Sequence, residues 1–233
     1  AVRISAKDEI AADVKAVPCK NGERLEAVRA LFKKMGAVDD DISVEKFGGY
    51  SNLVVSKKGN TENTVIVGAH YDKTPNGCGA IDNWTGITIM AHAFRTLKSA
   101  SSIKTFKFVA FDGEELGLRG SAAMVKPIPK EKRAGICSMI NFDSFGFAYP
   151  RTFSTGSTPK MVAAAKALSA ELKIPFADVR IDNADADSSS FMNNGVPAIT
   201  FDGLDDNWQK FLHSSNDKVE NINISSVFVG YNY

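Results

Sequence analysis

Thr64-Val65-Ile66-Val67-Gly68-Ala69-His70-Tyr71-Asp72 is a near-continuous apolar run that ends in an imidazole and a carboxylate. A run of this kind reads as a strand buried on both faces, as in parallel sheets covered by helices. Two later segments repeat the pattern. Phe106-Lys107-Phe108-Val109-Ala110-Phe111 runs into Asp112-Gly113-Glu114-Glu115, and the strand from Ile136 to Phe142 runs into Asp143. Between them the apolar spacing turns helical, over about 83–98 with Ile87, Met90, Ala91, Phe94 and Leu97 on one face, and again near 119–125. Strands alternating with helices predict an α/β fold, a three-layer α/β/α sandwich around a mixed, largely parallel sheet.

Outward from this centre, Asn21 to Phe32 places Leu25, Val28, Leu31 and Phe32 at helical spacing, and Gly36 ends that helix. Alternating runs at 42–47 and 52–57, split by Gly48-Gly49, read as strands. Lys73 to Gly79 is a loop. A helix near 159–172, a polar loop over 178–190 and a short strand at 198–201 follow. His92, in mid-helix, reads as a packing residue. Ser225 to Tyr231 reads as the start of an amphipathic helix, cut short at Tyr233. No repeat, low-complexity tract or linker interrupts 1–233, so one domain is expected.

The bulk numbers narrow the function. At 44% hydrophobic and 24% charged the chain can build an ordinary core, and its net charge of +1 points to neither nucleic acid nor a membrane surface as partner. No apolar run approaches the roughly 18 residues that span a bilayer. Cys19, Cys78 and Cys137 form no close-spaced metal or redox motif. The reading is three free thiols, with Cys137 buried in a strand and Cys78 a loop thiol without function. One disulfide is the alternative, and the sequence does not choose its pair. The chain begins at Ala1 rather than Met, which fits a removed leader or a trimmed start, and a secreted or periplasmic location is expected.

Ligands of open α/β sheets bind beyond the carboxyl ends of the strands. That rule gathers His70, Glu114, Glu115 and Asp143 at one edge, and Asp82-Asn83, opening the helix after the first strand, on the same side. Singly each could be a helix cap or a solvated turn. Together, bare carboxylates would raise one another's pKa and destabilise the site. A divalent cation resolves the conflict, and imidazole with carboxylate suits zinc, with cobalt or manganese as substitutes.

Gly-Ala-His-Tyr-Asp at 68–72, Gly-Ala-Ile-Asp-Asn at 79–83, Phe-Asp-Gly-Glu-Glu-Leu-Gly-Leu-Arg-Gly-Ser at 111–121, Asn-Phe-Asp at 141–143 and Leu-His-Ser-Ser-Asn-Asp at 212–217 follow one another in order. This series resembles the di-zinc metallopeptidases of the bacterial leucyl aminopeptidase type, whose relatives include glutamate carboxypeptidases and glutaminyl cyclases. The resemblance covers roughly residues 20–230 and implies a phosphorylase/hydrolase-like zinc exopeptidase fold. It implies two Zn2+ ions, one held by His70 and Asp143 and one by Glu115 and His213, with Asp82 bridging and a cis bond between Asp82 and Asn83. It implies that Glu114 is the general base, that Asp72 orients His70, that Asp187 lies near the site, and that Asp217 helps hold the His213 loop. Substrates are then peptides with a free N-terminus, cleaved by a monomer. Phe145, Phe191 and Leu212 flank the ligands and are expected to line a pocket for an apolar N-terminal side chain.

Two departures stand out. An acidic-His pair is usual where this chain has Asp187-Ser188, and no tyrosine occurs between Arg151 and Gly230 to support an oxyanion. The enzyme alternatives are a glutaminyl cyclase, disfavoured by Leu212 before His213 and by the run at 115–121, and a carboxypeptidase or dipeptidase of the same fold. A receptor-like ectodomain is the non-enzyme alternative, disfavoured because all five implied ligands are present.

Overall fold

The computed structural model describes residues 2–181 and 184–233. Helices α1 (Lys7–Lys15) and α2 (Asn21–Lys34) precede the strands β1 (Ile42–Phe47), β2 (Tyr50–Lys57) and β3 (Thr61–His70). Then come α3 (Thr85–Lys98), β4 (Lys104–Phe111), α4 (Arg119–Val125), β5 (Ile136–Phe145), β6 (Arg151–Phe153) and α5 (Pro159–Leu172). The chain continues through β7 (Asp178–Val179), α6 (Asp187–Met192), β8 (Ala198–Gly203) and α7 (Ile224–Asn232).

The strands form one eight-stranded sheet in the order β1-β2-β4-β3-β5-β8-β6-β7. Its centre, β4-β3-β5-β8, is parallel, and β1, β2 and β6 add antiparallel pairings. The period of two along a strand divides the core. Val65, Val67 and Ala69 of β3 join Phe108 and Ala110 of β4 against Val28, Leu31 and Phe32 of α2 and Phe94 of α3. Ile66, Val109 and Phe111 face the other way, against Val125 of α4 and Phe191 of α6. Ile10 and Val14 of α1 and Val227 of α7 close over Ile89, Phe145, Ile199 and Phe201. This is the expected mixed α/β sheet with helices on both faces.

The edges hold what the periodicity did not reveal. Helix α1 was not foreseen, having only Ile10 and Val14 as buried apolar contacts. The polar stretch 178–190 contains a two-residue strand and the start of α6. There the Ser188 hydroxyl donates to the Gly156 carbonyl, and the Ser121 hydroxyl donates to that of Ser190, so buried serines stand in for apolar packing.

The expectation of three free thiols is overturned. Cys19 and Cys78 form a disulfide, and Cys137 is free and half-buried rather than buried. Arg24 explains how distant segments meet. Wholly buried on α2, its guanidinium donates to the carbonyls of Pro18 at 2.9 Å, Cys78 at 3.1 Å and Gly79 at 3.1 Å, and to that of Tyr71. Both cysteine loops are thereby drawn onto one helix. Gly79 has φ of +63°, and a Cβ there would stand 2.6 Å from the Lys73 Cβ, so only glycine fits this turn.

Candidate metal centre

The parallel centre of the sheet delivers its carboxyl ends to one edge, and the sequence-selected side chains meet there. His70 ends β3, Asp143 lies near the end of β5, and Glu114 and Glu115 follow β4. Asp82 sits on the turn Ala80–Trp84, whose Asp82–Asn83 peptide bond is cis, as the resemblance implies. Asn83 ties this turn to β5. Its Nδ2 donates to the Phe142 carbonyl at 2.8 Å, and its Oδ1 accepts the amides of Gly86 at 3.0 Å and Ser144 at 3.1 Å. Ser144 and His213 have φ of +61° and +58°, and non-glycine residues held in this region concentrate at functional sites.

The donor atoms fall into two sets that share one carboxylate. His70 Nε2 lies 3.0 Å from Asp82 Oδ1 and 3.5 Å from Asp143 Oδ1. His213 Nε2 lies 3.1 Å from Asp82 Oδ2 and 3.2 Å from Glu115 Oε2. Ligands about 2.0–2.1 Å from a tetrahedral zinc stand about 3.3 Å apart, so the imidazole-to-carboxylate distances in both sets suit a zinc shell. By mutual proximity of donor atoms His70 also groups with Glu114 and Asp143, and with Asp82 and Glu115. The chemistry of the set fits as well, since two imidazoles and several carboxylates at close range suit zinc.

The electrostatics show the same need. Glu114 touches the cavity, yet the side chains crowded around it push its carboxyl well above the usual range, and the charges of Asp143, Asp187 and Asp82 add to this. Burial also raises Glu115, against its bond to His213. Burial works to raise Asp82 too, but its bonds to His213 and His70 win and hold it below the usual range. The same bonds, to Asp82 and then Glu115, push His213 up to about 10. Burial disfavours a charged His70, and the neighbouring Glu114 and Asp143 overcome it and raise it.

Asp72 has a wider task than orienting His70. Its carbonyl oxygen lies 3.2 Å from His70 Nδ1, closer than its Oδ1 at 3.5 Å. Its carboxylate instead accepts the amides of Glu114 at 3.1 Å and Glu115 at 3.2 Å, fixing where the two glutamates begin. Asp217 does more than hold the His213 loop. Its carboxylate accepts the amides of Ile81 at 2.7 Å and Asp82 at 3.4 Å, so it braces the Asp82 turn, while its main-chain amide donates to Ser214 in the His213 loop. Asp187 is fully buried, burial pushes it up to about 7, and neither carboxylate oxygen has a hydrogen-bond partner among the described residues.

A cavity of about 490 Å³ opens over the cluster. Of the three expected pocket residues only Leu212 lines it. Phe145 and Phe191 are wholly buried in the core, Phe145 with Ile89 and Val227 and Phe191 against Phe111. A regular strand would put Phe145 on the same face as Asp143, but the left-handed Ser144 between them turns it into the core. The apolar wall comes instead from Leu118, Phe153, Ile181, Leu204 and Trp208. Sequence reasoning missed Trp208 and Asp202, both lining residues, and Arg24 behind the Asp82 turn. Two signals were available. Arg24 precedes Val28 and Leu31 by four and seven residues, on the buried stripe of α2, and Asp202 ends a strand just as His70 does.

A family model described as Peptidase family M28 matches residues 52–228. A probable leucine aminopeptidase of Arthroderma otae is 27% identical over 230 residues, covering 86% of this chain and 60% of that protein. Among solved structures, a zinc aminopeptidase from Bacillus subtilis superposes with a TM-score of 0.69 at 23% identity over 78% of this chain and 47% of that one. A glutaminyl cyclase from Fimbriiglobus ruber gives 0.80 at 19% identity over 100% and 95%. At these identities the structural matches speak to the fold alone. This chain spans 60% of the Arthroderma otae protein and 44% of the leupeptin-inactivating enzyme 1 of Streptomyces exfoliatus, so it is the shorter partner in each comparison.

Proposed function

This chain belongs to peptidase family M28, and from that membership we propose that it is a zinc-dependent aminopeptidase that removes the N-terminal residue of peptides. The observation that carries the reading is the placement of Asp82, one oxygen turned to His70 and the other to His213. A carboxylate shared between two donor sets is the arrangement that a two-metal site requires. His70, Asp82 and Asp143 would hold one zinc, and Asp82, Glu115 and His213 the other.

Zinc bound there supplies a water of lowered pKa and a Lewis acid for the scissile carbonyl. The chain's own residues do the rest. Glu114 as the carboxylate takes the proton of the attacking water and returns it to the leaving amine, and burial with the neighbouring carboxylates raises its affinity for that proton. Asp72 holds the amides of Glu114 and Glu115, which keeps base and ligand apart. The carboxylates around the cavity attract the free ammonium of the substrate, which makes the cleavage exopeptidic. Two-metal hydrolysis leaves the missing tyrosine donor unneeded.

Elemental analysis at saturation, paired with a panel of aminoacyl chromogenic substrates, tests the proposal. Two metals per chain and release of the chromophore are expected. One metal per chain, with ammonia released from N-terminal glutamine peptides and no hydrolysis, would establish the cyclase instead. We propose a secreted or periplasmic, oxidising location, a reading that the Cys19–Cys78 bond supports. A thiol assay on protein recovered from its native cell, finding three free cysteines, would sink that placement. No helix among the described residues is long and apolar enough to cross a membrane.

A further inference from the structure

The wall of the cavity contains a charged group that the proposed chemistry does not use. Asp202 lies in β8 at its carboxyl end, lines the cavity and is 4% exposed. Its Oδ1 is satisfied, accepting Arg151 Nε at 2.6 Å and the Leu204 amide at 2.9 Å. Its Oδ2 is buried and has no hydrogen-bond partner among the described residues. A buried carboxylate oxygen left unpaired costs free energy, and a donor that reaches it recovers that cost.

The surroundings say what kind of donor fits. Ser144 and Thr200 line the same cavity, so this part of the wall is polar. The Thr200 hydroxyl is already bound to that of Ser188, and the Ser144 hydroxyl donates to Asp143, so neither hydroxyl proton is directed at Asp202. Asp143 and Asp185 add carboxylates, and no lysine or arginine lines the cavity among the described residues. Oδ2 has almost no surface open to the cavity, so a ligand N–H would reach it by a small shift of the wall around it, and an aliphatic side chain would leave it unpaired.

We infer that Asp202 is a specificity-determining residue, selecting substrates whose N-terminal side chain ends in a nitrogen hydrogen-bond donor, lysine or glutamine, over aliphatic ones. This deepens the aminopeptidase reading and rests on it for the word substrate. It adds one polar group to the expected apolar pocket, whose walls come from side chains other than Phe145 and Phe191. Leu118, Phe153 and Trp208 then serve the alkyl stem, and Asp202 reads the tip.

The test is binding of free amino acids to the zinc-loaded protein by isothermal titration calorimetry. L-norleucine carries the linear four-carbon side chain of L-lysine without the terminal nitrogen, so the pair isolates the donor. Lysine or glutamine is expected to bind about tenfold or more tightly than norleucine. Both doing so identifies hydrogen bonding as the cause, and lysine alone identifies charge. Asp202→Asn keeps an acceptor for Arg151 but turns the free oxygen into a donor. It should reduce the preference to within about twofold while norleucine affinity stays within about threefold. Norleucine binding as well as lysine and glutamine to the unaltered protein would overturn the inference, and that comparison stands even if the variant does not fold. An unchanged preference in a folded variant would overturn it too. The matching aminoacyl substrates separate the two readings: no hydrolysis of any of them, with the binding order intact, would remove the aminopeptidase and leave the Asp202 selectivity standing.

Discussion

Replacing Glu114 by glutamine separates the two neighbouring glutamates by function. Their amides hang from one Asp72 carboxylate, at 3.1 and 3.2 Å, and from that fixed start the side chains diverge. Glu115 reaches His213, with 3.2 Å between Oε2 and Nε2. Glu114 has an oxygen within 4.8 Å of donor atoms of both His70 and Asp143, so proximity alone would also allow it to ligate. Electrostatics favour the other role. In the metal-free chain, burial raises the proton affinity of Glu114 against the charge of His70, and Asp143, Asp187 and Asp82 add to it, a property that suits a group that takes up and returns a proton.

Glutamine matches glutamate in shape but cannot accept a proton at neutral pH. Loss of a general base costs about 10²–10⁴ in kcat. At 1.36 kcal/mol per decade that is about 2.7–5.4 kcal/mol on the barrier. In the metal-free parent burial already favours the uncharged carboxyl, so the neutral amide should melt no lower than the parent. Glu115→Gln should weaken one metal. Single-turnover kinetics with metal analysis on both variants reads all of this. If Glu114→Gln loses a metal while Glu115→Gln keeps both, the assignment is reversed. If Glu114→Gln turns over within threefold of the parent, another group is the base.

Three further outcomes follow from the same geometry. In the metal-free chain burial raises Asp187 to about 7 and Asp217 to about 6, and bonding to Asp82 and Glu115 raises His213 to about 10. All three bind protons more tightly folded than unfolded, the carboxyls between about pH 4 and 7 and the imidazole between about 6.5 and 10. The metal-free Tm should therefore fall as pH rises from about 5 to 9, while zinc-loaded protein, whose ligands bind metal when deprotonated, resists the fall. A metal-free Tm that rises over that range would contradict the account. Arg24→Met should cost about 3 kcal/mol or more by leaving the Pro18, Tyr71, Cys78 and Gly79 carbonyls without their donor, lowering Tm by about 6–12 °C. Calorimetry showing a loss under 1 kcal/mol would mean that water replaces the guanidinium freely. Replacing Cys19 and Cys78 together by serine removes a cross-link across 59 residues, which in the loop-entropy account contributes about 4 kcal/mol. Denaturant melts in which the double variant matches the parent would exclude that contribution.

The fold was legible where burial imposes one period. Strands β3, β4 and β5 are apolar on both faces because helices cover both, and α3 shows its stripe because it packs along its length. Legibility failed where burial is brief or polar. Helix α1 offers only Ile10 and Val14 to the core, and α6 begins with Asp187 and three buried serines, of which Ser188 and Ser190 bond to Gly156 and Ser121 in segments distant in sequence. The disulfide was illegible for a related reason. Nothing near Cys19 or Cys78 announces a partner 59 residues away, because the contact is made by Arg24, whose charge suggests a surface residue.

The site divides along a similar line. Side chains that end central strands could be collected by topology alone, since a parallel sheet delivers its carboxyl ends to one edge whatever the strand order. Applied consistently, that rule also reaches Asp202, because β8 runs parallel to β5 and completes the parallel centre. It went unread because its neighbours, Phe201 and Gly203, belong to no metal motif. The direction of a side chain was harder to foresee than its position. Phe145 stands two residues past Asp143, yet it points into the core at Ile89, because Ser144 between them adopts a left-handed turn and its amide is held by Asn83. The Asp82–Asn83 turn therefore does two things, presenting the shared carboxylate and setting the course of the chain beyond Asp143. Asn83→Ala should consequently disturb Asp143 as much as Asp82, lowering affinity for the metal at His70 more than for the metal at His213. Stepwise chelation that removes both metals from this variant with unchanged relative affinity would show that the turn acts on Asp82 alone.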